Sequence, residues 1–247
     1  MKLTLKIWRQ ASAQATGNYK TYERNDFDAA MSVPEMLDHL NRHLIKLGED
    51  PIAFESDCRE GICGQCGFAI NGNIHSPNAG TTTCQTHLRS FSNGETLWLE
   101  PFRVGAFPVK KDLMIDRSAL DRIIQSGGYI SVDTGPAVEA NSQLISHETA
   151  ESAFDSAACI GCGACAAVCP NASANLFTSA KVSHLAKLPQ GKVEASKRVL
   201  SMVQAMDAEG FGACSLVGAC EAICPQGISL ANIAQMNGEF RRAFLAT

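Results

Sequence analysis

The chain has 247 residues, of which 45% are hydrophobic and 19% charged, with a formal net charge of -4 at pH 7. That length supports one large core or two moderate ones, and two small domains are expected; the mild acidic excess argues against a nucleic-acid binder. No apolar run approaches the roughly 18 residues a membrane helix needs, and MKLTLKIWRQ alternates Lys and Thr with Leu and Ile instead of presenting a signal peptide's apolar stretch, so a chain that neither spans a membrane nor is exported is expected. MKLTLKIW, with its period of two, predicts a strand, as does TLWLEP at 96–101. Between them a helix is expected. Ser32 and Glu35 make a capping box, Pro34 suits the first turn, and Leu37, Leu40, Leu44 and Leu47 form one apolar face that Gly48 stops.

Next comes the most informative feature, cysteine. The chain holds 11, an odd number that does not suit a complete disulfide framework in a chain without an export signal. All fall into three groups. The first is Cys58, Cys63, Cys66 and Cys84, in "SDCREGICGQCGFAING" and "TTTCQTHL". Its C-x4-C-x2-C spacing with a distant fourth cysteine is that of a plant-type 2Fe-2S site, where four thiolates complete the tetrahedra of two irons. Glycines at 61, 64 and 67 let a short loop take positive φ and bring N–H groups to the sulfurs. A structural zinc held by four thiolates is the alternative. Asn71-Gly72 then marks a hairpin turn.

The periodicity breaks at "EPFRVGAFPVKKDL", where Pro101, Gly105 and Pro108 place a join between residues 1–106 and 107–247. "SGGYISVDTGPAVEANSQ", with neither cysteine nor histidine, reads as a long loop. Two related phrases follow, "CIGCGACAAVCP" at 159–170 and "CSLVGACEAICP" at 214–225. In two-cluster bacterial ferredoxins, the first three cysteines of C-x2-C-x2-C-x3-C-P bind one cluster and the last binds the other. That swap groups Cys159, Cys162, Cys165 and Cys224 as four ligands of a 4Fe-4S cluster. Cys169, Cys214 and Cys220 remain as three, because Val217 stands at the fourth position. Valine cannot bind iron, which points to a 3Fe-4S cluster; a 4Fe-4S cluster whose open iron takes water is the alternative, although no acid–base site accompanies it.

The flanking segments read as helices with apolar stripes that belong to a core: Leu176 to Leu188, ending at "PQG"; Val199, Leu200, Val203 and Met206 before Gly210; and Leu230, Ile233, Ala234, Phe240 and Phe244. Among six histidines, His39 and His43 alone stand one helical turn apart; off the leucine face, they read as solvent-exposed and not as a metal pair. There is no P-loop and no G-x-G-x-x-G.

A plant-type loop followed by these two phrases, together with "FPVKKDLMIDRSALDRI" at the join, resembles the iron–sulfur subunit of succinate dehydrogenase and fumarate reductase, respiratory complex II, over nearly the whole chain. The resemblance implies an α+β fold, with an N-terminal β-grasp plant-type 2Fe-2S ferredoxin domain and a C-terminal all-α bacterial-type ferredoxin domain. It implies an electron path from covalently bound FAD on a flavoprotein subunit through 2Fe-2S, 4Fe-4S and 3Fe-4S clusters to quinone at a membrane anchor. The dicarboxylate chemistry then belongs to the flavoprotein, and this chain has no catalytic residue of its own. It also implies a peripheral subunit on the cytoplasmic face of the bacterial inner membrane. Ubiquinone-reducing members carry a tryptophan shortly after the match to Cys169-Pro170 and a histidine after the match to Cys214. Here "NASAN" and Ser215 stand in those places, closer to members that use menaquinone and a single haem-containing cytochrome b anchor. Succinate oxidation is the expected direction, with fumarate reduction the alternative; the relay of another flavoenzyme, such as glycolate oxidase or heterodisulfide reductase, and a zinc scaffold are further alternatives.

Overall fold

The structure is a computed structural model that describes residues 1–132, 135, 139 and 142–246. Its first half is built on β1 (Leu3–Arg9), β2 (Asn18–Arg24), β3 (Ala69–Ile70), β4 (Asn73–Ile74) and β5 (Thr96–Glu100), in the order β2-β1-β5-β3-β4. β1 pairs antiparallel with β2 and parallel with β5, a return that needs a long connection. Much of that connection is α1 (Val33–Lys46), whose Ser32 N–H donates to Glu35 Oε2 at 2.7 Å while Ser32 Oγ accepts from Glu35 N at 3.4 Å. The alternation in β1 sends Leu3, Leu5 and Ile7 onto Met36, Leu37, Leu40 and Leu44. Leu47 departs from expectation: it caps the helix and is 59% exposed, because the last turn has run past the edge of the sheet. At the β3–β4 turn Asn71 (φ 51°) and Gly72 (φ 77°) both take the left-handed conformation of a two-residue hairpin.

The second half is helical after a short hairpin, β6 (Val109–Lys111) with β7 (Met114–Ile115). It comprises α2 (Ser118–Gln125), α3 (His147–Ala157), α4 (Ala164–Val168), α5 (Asn175–Lys187), α6 (Pro189–Lys192), α7 (Ala195–Ala208), α8 (Ala219–Ile223) and α9 (Ala231–Leu245). α5 and α7 lie where the apolar spacing puts them, and "PQG" opens the short turn α6. In α9 the buried stripe is Ile233, Met236 and Ala243; Ala234 is exposed and Phe244, 65% exposed, stacks on Phe240 instead of entering the core. The long loop expected at 126–143 falls in part, at 133, 134, 136–138, 140 and 141, outside the described residues, while Ser131 N–H at its start donates to Glu194 at 3.0 Å.

The join is interleaved. Phe102, Val104, Phe107 and Ile115 pack into the helical core, while Leu113 between them returns to the sheet's core. Asp112, φ 49° and fully buried, anchors that return: it accepts Arg9 Nε at 3.1 Å, Gln10 N at 2.9 Å and Ala53 N at 2.9 Å. Asp112→Ala leaves two buried backbone donors unpaired and takes one carboxylate from Arg9, which keeps Tyr22, Asp50 and Pro51, so a loss of about 3 kcal/mol is expected, measurable by denaturant unfolding against the parent chain.

Candidate functional site

The first cysteine group sits on the loop between α1 and β3. Cys58 Sγ accepts three backbone N–H groups, from Glu60 and Ile62 at 3.4 Å and Cys63 at 3.3 Å, and these hold its pKa down at about 7. Such convergence requires reversed turns, provided by left-handed Arg59 (φ 59°), Gly61 (φ 74°) and Gly64 (φ 70°). Cys63 Sγ accepts Gln65 N at 3.5 Å. From the far side, a one-turn 3-10 segment presents Cys84, which the Cys66 thiol and then Thr82 Oγ1, 3.2 Å away, stabilise as thiolate at about 6; the same contact and burial push Cys66 up. Thus Cys58 pairs with Cys63 within the loop, and Cys66 pairs with Cys84 across it.

The second phrase folds as a turn and the short helix α4, the third as a turn and α8, each helix ending in Cys-Pro. Gly163 (φ 81°) and Gly218 (φ 85°) make corresponding left-handed entries. One position pair earlier, Gly161 (φ 64°) is matched by Leu216 (φ 55°), so the second copy keeps the backbone path without the glycine, at a cost of roughly 1–2 kcal/mol. Cys159, Cys162, Cys165 and Cys224 line one small cavity, and Cys169, Cys214 and Cys220 line another together with Val217. Leu176, Ala180, Ile228 and Ile233 form an apolar floor touched by cysteines of both cavities. Burial pushes Cys162 up to about 12 and Cys165 well above its ordinary value. A dry ring of thiolates without a compensating cation is unfavourable, and iron would supply that cation.

The sulfurs ring spaces, and among the described residues no group of three or more His, Cys, Asp or Glu could hold a metal ion as it stands. The residues fit sulfide-bridged clusters: thiols in sets of four, four and three, two of the sets around cavities, with backbone donors at Cys58, Cys63, Cys214 and Cys224. Beside the third set, Asn171, the first residue of the NASAN stretch, donates through Nδ2 to Ser215 Oγ at 3.1 Å and to Ala213 O at 2.9 Å. Leu216 and Val217 there are 67% and 64% exposed. His39 and His43 are half-buried, His39 against Asp26 at 3.0 Å. Sequence reasoning missed Arg117, whose side chain bridges the first and second cysteine loops, and Gln226, which ties the first loop to the segment after Cys224; neither carries a spacing signal.

The class is that of a two-domain iron–sulfur electron-transfer protein. The family of the 2Fe-2S iron-sulfur cluster binding domain matches residues 4–122, and that of the 4Fe-4S dicluster domain matches residues 155–228. The fumarate reductase iron–sulfur subunit of Escherichia coli O157:H7 is 23% identical over 98% of this chain and 95% of its own length. The succinate dehydrogenase iron–sulfur subunit of Bacillus subtilis is 27% identical over 94% and 89%. In fold the chain is similar to one in the apo Sdh1 complex of Mycobacterium smegmatis, with TM-score 0.65 and 22% identity over 98% of this chain and 96% of that one. The chain carries both iron–sulfur domains and is similar over nearly its whole length to iron–sulfur subunits of succinate dehydrogenase and fumarate reductase.

His75, buried behind the first loop at φ 67°, has Nδ1 3.2 Å from Thr83 Oγ1 and no partner for Nε2. Burial, reinforced by the Arg117 charge, lowers its pKa from 6.5 to about 4. A base depressed on folding is neutral in the native state and takes a proton more readily when unfolded. The stability it contributes is therefore complete above about pH 6.5 and falls as pH drops toward 4, by about 3 kcal/mol in all. In His75→Gln that part of the acid sensitivity should vanish, seen as a flatter dependence of the unfolding midpoint on pH between 7 and 4.

Proposed function

We propose that Cys58, Cys63, Cys66 and Cys84 hold a 2Fe-2S cluster, Cys159, Cys162, Cys165 and Cys224 a 4Fe-4S cluster, and Cys169, Cys214 and Cys220 a 3Fe-4S cluster. Carriers of this kind take up and release one electron at a time, which lets a two-electron reaction at one end be coupled to another elsewhere. The chain's own part is to hold, space and insulate them. On this reading it serves a succinate:quinone oxidoreductase, between an FAD-containing flavoprotein subunit and quinone at a membrane anchor, docked peripherally on the cytoplasmic face of the membrane. Among the described residues no helix is long and apolar enough to cross a membrane, so the anchor is assigned to a partner.

The observation that carries the reading is the division of seven cysteines between two cavities, four and three, with Val217 in the wall of the three-thiol cavity. A zinc scaffold would not need that swap of last ligands between the phrases. Fumarate reduction over the same relay is the second reading, favoured by the likeness to the Escherichia coli fumarate reductase subunit. NASAN at 171–175 and Ser215, in place of tryptophan and histidine, favour menaquinone and an anchor with a haem-containing cytochrome b.

Low-temperature electron paramagnetic resonance of the oxidised protein should give a 3Fe-4S signal, replaced by 2Fe-2S and 4Fe-4S signals on stepwise reduction. Val217→Cys should convert the third site to 4Fe-4S and lower its potential. No oxidised signal in the parent, with two cubanes on reduction, would establish the open-iron alternative, and an unchanged three-iron spectrum in the variant would sink the ligand swap.

A further inference from the structure

We propose that Arg117 is a positioning residue that ties the first cysteine loop to the second and places a fixed positive charge between them, favouring electron uptake at both sites together. The inference rests on the ligand sets proposed above. Arg117 caps the start of α2, where its backbone is set by the Asp116 carboxylate accepting Ser118 N at 2.9 Å. Nη1 donates to Gly64 O, inside the first cysteine loop, and to Cys162 O at 3.3 Å, a carbonyl of the second. Nη2 reaches Gln65 Oε1 at 2.5 Å, Gln65 O at 3.4 Å and Glu55 Oε2 at 3.2 Å. A planar guanidinium with five donors can serve two loops at once; an ammonium keeps the charge without the fork.

The two loops are in backbone contact at this place, since a Cβ on Gly64 would lie 2.5 Å from Ile160 O and 3.0 Å from Cys162 Cα. The Arg117 side chain is only 11% exposed, so water screens its charge weakly. Glu55, 27% exposed, offsets part of that charge. The field reaches its surroundings, where it helps hold the pKa of buried His75 down. A second, uncharged brace exists. Gln226, next after Cys224-Pro225, donates through Nε2 to Gly61 O at 3.1 Å, so removing the guanidinium still leaves the first loop tied to the segment that follows Cys224. The third site has no contact with Arg117 and serves as the internal reference.

The test is a redox titration of the full chain followed by paramagnetic resonance, with iron and sulfide content measured first. Wild-type protein lacking iron, or lacking the expected signals, removes the ligand assignment itself and is recognised before any variant is compared. Given loaded sites, Arg117→Met should lower the 2Fe-2S and 4Fe-4S midpoints together and leave the third unchanged, and Arg117→Lys should restore most of the shift. Glu55→Gln, which keeps the guanidinium and removes its counter-charge, should move the same two midpoints upward. Loaded Arg117→Met with both midpoints unmoved overturns the proposal whatever happens to its melting temperature, as does an equal shift at all three sites. Should Arg117→Met fail to load, Glu55→Gln decides, and no upward shift there overturns the proposal equally.

Discussion

The close approach of two loops at Gly64 is the constraint on which the rest of the molecule depends. A side chain there would strike Ile160 O, and φ of 70° already excludes most residues. Because the first loop belongs to the sheet domain and the second to the helical domain, this contact fixes one redox site against the next. The interleaved join has the same effect: Phe102 and Phe107 commit the chain to the helical core, and Leu113, steadied by Asp112, brings it back. A hinged pair of domains would leave the gap between carriers variable; here it is set by backbone contact.

The helical domain answers a different demand. A turn and a short helix occur twice, with left-handed residues at matching places, and the two copies exchange their last cysteine. That exchange locks α4 and α8 together over the floor of Leu176, Ala180, Ile228 and Ile233. Leu216, left-handed without being glycine, shows that the backbone path is retained even where the sequence has departed from the repeat, so the altered ligand count at Val217 comes from side-chain replacement and not from a different loop.

Cysteine grouping, the capping box at Ser32, the Asn71-Gly72 turn and the strands at both ends of the first domain were legible in the sequence, because each is a local pattern with a local physical cause. What was not legible depends on neighbours distant in the chain. Leu47 and Phe244 continue an apolar spacing at the ends of their helices, yet both remain exposed, Phe244 stacked on Phe240. His39 looked like an open surface residue until Asp26 and Phe27 came to lie beside it. Arg117 and Gln226 are ordinary polar residues in sequence; only the docking of two loops gives their side chains something to hold.

Burial across the three sites suits a relay more than a reservoir. The first loop is open at Ile62, 63% exposed, and the third site is open at Leu216 and Val217, while between them burial raises the pKa of Cys159, Cys162 and Cys165. Desolvation penalises added negative charge, so the interior site would be the hardest of the three to reduce if thiols and burial alone decided. A cation beside the interior site, on the side facing the first loop, opposes that penalty. Exposed ends allow exchange with partners, and an insulated, charge-compensated middle confines the electron to the path between them.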